Sequence, residues 1–135
     1  MDPTKVAIII NSRSYDRVSY GLSIATISAA HLKEVHVLFT YGAVWRLVKG
    51  KTDEVGEETD ALIREDVIQG LEKGSIQKIS EMIAHLKGFG GKIYACSAAL
   101  AFHHLTQDDL IKEVDEVTGI STFLEKTECS TMLYV

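Results

Sequence analysis

The apolar residues of this chain fall into short runs divided by polar or glycine-bearing segments. Val6-Ala7-Ile8-Ile9-Ile10 is continuous and mostly β-branched, the pattern of a strand covered on both faces. Residues 11–16 form a polar loop, and a helix is expected over about 17–31. Leu22, Ile24, Ala25, Ile27 and Ala29 spread around more than one face of that helix, so it is either central or partly covered by another subunit. Residues 34–40 read as the second strand, and 41–49 as a turn with a short helix. Ser75 stands as a cap before Ile76, Ile79, Ile83 and Leu86, which recur at helical spacing up to Gly88. Lys92-Ile93-Tyr94-Ala95-Cys96 is the third strand and runs straight into a helix-forming segment, Ser97-Ala98-Ala99. Residues 113–118 make a weak fourth strand, Thr122-Phe123-Leu124-Glu125 fits a capping box opening the last helix, and 131–135 close the chain as a strand.

Strands alternating with helices imply an α/β fold, a parallel sheet with helices on both faces. Right-handed crossovers then bring every loop that follows a strand to one rim. That rim collects residues 11–16, 41–46, 96–104 and 118–122. One region stands apart: residues 49–73 hold eight of the 19 acidic residues and glycines at 50, 56 and 70. It reads as a solvated excursion with a helical piece near 61–69, and as a candidate lid or docking surface. No repeat, low-complexity tract or linker interrupts the pattern, so 1–135 reads as one domain.

Composition narrows the function classes. The chain of 135 residues is long enough to bury a core without disulfides or a metal. A net charge of -5, with no basic cluster, argues against a nucleic-acid binder. Its two cysteines do not make a secreted disulfide framework, and neither belongs to a Cys-x-x-Cys pair, so no metal site is expected. Residues 1–5 pass into a strand without a signal-peptide pattern, and no apolar stretch reaches the roughly 18 residues that span a membrane. A cytoplasmic, reducing location is the expectation.

Candidate chemistry centres on one sulfur. Ligands of α/β proteins bind at the carboxyl ends of the strands, and Cys96 sits at such an end. The free N–H groups of the segment that follows carry partial positive charge, which favours the thiolate, the reactive form of cysteine. Cys129 precedes the last strand and so belongs at the other end of the sheet, about 17 Å away and beyond disulfide reach; it reads as structural. Arg13 and Arg46 are candidate anion partners on the rim, although each alone also suits a solvated surface position. Tyr41 is a further candidate contact, and both Tyr41 and Trp45 equally suit a core or an interface. His103 and His104 follow Cys96 closely, but adjacent helical residues diverge, so at most one faces the thiol. The first loop lacks the Gly-Lys-Ser/Thr element, and no glycine precedes Gly21, so neither nucleotide-binding turn is present.

Gly91-Lys92-Ile93-Tyr94-Ala95-Cys96-Ser97, then Asp109-Leu110-Ile111, then Gly119-Ile120-Ser121-Thr122-Phe123-Leu124 resemble the DsrE/DsrF-like sulfur-carrier proteins. The closing Met132-Leu133-Tyr134-Val135 and the opening strand with its loop are also similar, so the resemblance covers nearly the whole chain. It implies a three-layer α/β/α fold with a five-stranded parallel sheet, assembled into homo- or hetero-oligomers. It further implies that Cys96 carries sulfur as a persulfide or thiosulfonate, without a cofactor, and exchanges it with TusA-like or rhodanese-like partners in sulfur oxidation or tRNA thiolation. Some family members lack this cysteine and serve as structural subunits; the present chain keeps it. The stretch 49–73 matches no motif of the family. Two other classes stay open: a non-catalytic scaffold subunit with an inert Cys96, and a flavodoxin-like module holding a phosphorylated ligand at the first loop.

Overall fold

The computed structural model describes residues 4–135; Met1-Asp2-Pro3, within the segment read for a targeting signal, lies outside the described residues. Five strands form one sheet: β1 (Lys5–Ile10), β2 (Glu34–Phe39), β3 (Lys92–Cys96), β4 (Glu116–Thr118) and β5 (Thr131–Tyr134). Their order is β4-β3-β2-β1-β5, and every pairing is parallel. The β-branched run of β1 lies between two neighbours and is buried along Val6–Ile10, which explains why it shows no polar alternation. The expected α/β fold is the one observed.

Helix α1 (Tyr15–Ala30) lies over β1 and β2 and packs beside α3 (Ile79–Gly88). It approaches β1 closely at Gly21, where an added Cβ would meet Ile10 Cδ1 at 2.8 Å. Ile8, Val37 and Ile93 share a sheet face with Ile10 by register, and all are buried. The opposite face carries Ile9, His36, Leu38, Tyr94 and Cys96. There Phe123 of α5 (Ile120–Lys126) meets the Tyr94 ring at 5.3 Å.

Three helix starts differ from the sequence reading, and β4 is shorter than the 113–118 expected. Helix α1 begins at Tyr15 rather than Arg17. Ser75 caps nothing ahead of it: α2 (Ala61–Lys73) ends at Gly74, φ +79°, and Ile76 folds back onto Gly70 of that helix. Helix α3 therefore starts only at Ile79, and its acceptor arrives from elsewhere. Asp53 takes hydrogen bonds from Ser80 N at 2.8 Å and Ser80 Oγ at 2.6 Å, across 27 residues of sequence. The expected box at Thr122 is also absent, because α5 begins earlier, behind Gly119. A box does form at Thr106 and Asp109, where it opens a short 3₁₀ turn.

The acidic stretch 49–73 is not a free excursion. Thr52, Thr59 and Val67 are buried, and its backbone is tied down by Arg46. Among the described residues no helix is long and apolar enough to cross a membrane.

Candidate functional site

Strand β3 delivers Cys96 to the carboxyl rim, beside Thr118 of β4 by register and next to Thr40, which follows β2. The chain turns there at once into α4 (Ser97–Phe102), with Cys96 as its N-cap residue (φ -70°, ψ 121°) and no capping hydrogen bond from its side chain. The thiol is free and 5% exposed. It opens onto a cavity of about 410 Å³ whose wall comes from Thr40, Tyr41, Ala98, Ala99, Phe102 and Ile120. That volume lies within the range of small-molecule pockets. Tyr41, Phe102 and Ile120 are 62, 67 and 49% exposed, so the mouth is an apolar collar open to solvent. Thr40, Ala98, Ala99, Phe102 and Ile120 were not singled out as site residues from the sequence; all but Thr40 fall within the rim segments 96–104 and 118–122, and Thr40 directly follows β2, which was the available signal.

The remaining candidates lie apart from this cavity. Arg46 is fully buried, in a 3₁₀ helix over Tyr41–Leu47. Its Nε donates to Arg13 O at 3.0 Å, its Nη1 to Thr52 O at 3.1 Å and Glu54 O at 2.5 Å, and its Nη2 lies 3.5 Å from Glu58. Burial pulls its pKa down while Glu58 opposes that change. It is thus a structural clamp between the first loop and the acidic stretch, not a solvated rim cation, because backbone carbonyls and one carboxylate surround its donors.

Arg13 stands 5.3 Å from the Trp45 ring centre and 3.9 Å from Glu54, and its buried Nε finds no acceptor among the described residues. Trp45 Nε1 donates to His103 Nδ1 at 3.2 Å, so in the neutral ring Nε2 carries the hydrogen; that atom is buried and also without a partner among the described residues. His104 is exposed, with φ 58°, and does not line the cavity. Of the residues proposed from sequence, the fold therefore brings Tyr41 to Cys96 and leaves Arg13, Arg46, His103 and His104 outside the cavity wall. No residue of 49–73 lines it either, so that stretch is not a lid over the thiol.

Cys129 lies before β5, at the opposite end of the sheet from Cys96, as expected. It is exposed and left-handed (φ 62°), not a packed structural residue, because the tight turn into β5 turns its side chain outward.

Among the solved structures that share this architecture are the following two. YchN from E. coli superposes with a TM-score of 0.72 at 14% identity, covering 98% of this chain and 99% of that one. MTH1491 from Methanobacterium thermoautotrophicum, described as a protein of unknown function, gives 0.68 at 20% identity, covering 99% of this chain and 100% of that one. No curated protein matches the sequence. A family model does, over residues 4–130, and with it the chain belongs to the DsrE/DsrF-like family, whose general theme is sulfur relay.

Proposed function

We propose that this protein is a cytoplasmic sulfur carrier that accepts a sulfane sulfur on Cys96, as a persulfide or thiosulfonate, and yields it to a partner thiol. The observation that carries the reading is the coincidence of Cys96 with the floor of a solvent-open cavity on the carboxyl rim. The Cys96 thiolate attacks the donor's sulfur, the donor's S–S bond breaks, and a donor thiolate or sulfite leaves to give the persulfide, or thiosulfate leaves a polythionate to give the thiosulfonate. A second thiolate then takes the sulfur by the same exchange. A TusA-like or rhodanese-like protein is the proposed donor or acceptor. The apolar collar, together with exposed Leu124 and with Met132 and Tyr134 on the edge strand β5, supports a homo-oligomer, a trimer or a hexamer, that covers part of these surfaces.

One observation favours a second reading, a scaffold subunit with an inert thiol: Cys96 is only 5% exposed. Intact-mass analysis after polysulfide treatment separates the two. A sulfur adduct lost in Cys96→Ser and kept in Cys129→Ser is the expected result. An adduct confined to the exposed Cys129 would leave the scaffold reading standing.

A further inference from the structure

Resting on the carrier reading, the geometry points to a substrate class: the Cys96 cavity selects organic trisulfides and the neutral R–S–SH form of persulfides, with small apolar substituents, over inorganic sulfur oxyanions. The wall has no charged side chain; its polar side chains are Thr40, Tyr41 and the thiol itself. The cations expected to hold an oxyanion are engaged elsewhere. Arg46 is buried among carbonyls and Glu58, Arg13 sits over Trp45 beside Glu54, and His103 accepts from Trp45. A sulfur oxyanion entering this cavity gives up hydration that no charged side chain replaces. An alkyl or aryl group instead gains by covering Phe102, Ile120 and the Tyr41 ring, each about half or more exposed. The net charge of -5 adds a general bias in the same direction.

The transfer is redox-neutral. The Cys96 thiolate attacks the outer sulfur of R–S–SH, a new S–S bond forms, and the old one breaks. R–S⁻ then departs and takes up the proton that Cys96 released, leaving Cys96–S–SH. No oxidant or metal enters the balance.

The test uses two reagents that thiolates attack directly. Dipropyl trisulfide gives a propyl disulfide and releases a propyl perthiolate; tetrathionate gives a thiosulfate adduct and releases thiosulfate. Cys129, exposed at the far end of the sheet, is the internal reference within each molecule. Site-resolved mass spectrometry follows the Cys96-to-Cys129 rate ratio for each reagent in the full chain. The expected ratio is about tenfold or more higher with dipropyl trisulfide, the gain from burying one small apolar group. Ile120→Arg, at the half-exposed mouth, is expected to raise the tetrathionate ratio and lower the trisulfide ratio while Cys129 rates hold. A wild-type ratio equal or higher for tetrathionate overturns the substrate class and leaves the carrier reading intact. Unchanged ratios in Ile120→Arg overturn the assignment of selectivity to this wall. If neither reagent modifies Cys96 while both modify Cys129, the carrier reading falls and this inference falls with it.

Discussion

Two phenols of the five in this chain are held protonated well beyond the ordinary range. Tyr94 is pushed up to about 12, first by burial and then by Glu116, Asp115 and Glu34. Its hydroxyl lies 2.7 Å from His36 Nδ1 and donates to it, so His36 Nε2–H donates in turn to Glu34, also at 2.7 Å. Tyr15 is likewise pushed up to about 12, by burial and by Asp53, and donates to Gln77 O at 2.7 Å. A raised phenol pKa means that the folded state holds its proton longer than the unfolded one. The stability involved is present below pH 10 and declines as pH rises toward 12. Absorbance titration is expected to show two late phenols, with Tyr15→Phe and Tyr94→Phe each removing one.

Glu58 behaves in the opposite sense. Burial raises its pKa, but hydrogen bonds from Thr59 and Gly56 and the charges of Arg46 and Arg13 together hold it below the usual carboxyl value. Its contribution is therefore present above the unfolded value of 4.5 and lost as pH falls below it. Glu58→Gln is expected to flatten the acid limb of a stability–pH profile. Arg46→Met removes the charge that Glu58 faces and leaves three carbonyls without a donor. A loss of about 3–5 kcal/mol in denaturant unfolding is expected.

At the scale of the element, what matters is where each helix finds its cap. Helix α3 takes its N-terminal acceptor from Asp53, so Asp53→Ala is expected to cost about 1 kcal/mol, read as a lower denaturant midpoint with unchanged slope. A larger loss would mean that Asp53 also holds the acidic stretch in place. Strand β3 depends on Gly91, where an added Cβ would overlap the buried side chain of Leu86. Gly91→Ala is expected to cost about 1–3 kcal/mol through that overlap, and so to loosen the strand that delivers Cys96.

For the whole molecule, the sheet is covered unevenly. One face lies under α1 and α3, while the other has the short α5 and, around the Cys96 mouth and along β5, exposed Tyr41, Phe102, Ile120, Leu124, Met132 and Tyr134. Helix α1 also exposes Tyr20 and Ile27, at 66 and 61%. Sedimentation at micromolar concentration is expected to give a species larger than one chain. Leu124→Glu is expected to shift it toward the monomer; a stable wild-type monomer would remove the oligomer from the proposal.

The run Val6–Ile10, the periodic helix positions and the strand-then-helix passage at Cys96 were all legible in the sequence, because each rests on local pattern and short-range sterics. They were enough for a parallel sheet with helices on both faces and for Cys96 on its carboxyl rim; the five-stranded form was what the family resemblance implied. Arg46 was not legible: nothing local separates a solvated arginine from one whose donors meet the carbonyls of residues 13, 52 and 54. Nor was the cap of α3, whose acceptor comes from 27 residues away, or the side chain direction of Cys129, set by a left-handed turn. The cavity wall was likewise decided in three dimensions, since Thr40, Phe102 and Ile120 come from three separate rim segments that meet only when the sheet is assembled. Hydrophobic periodicity acts between neighbours in the chain and can be read there; charge pairing and pocket shape act across space, and only the folded structure settles them.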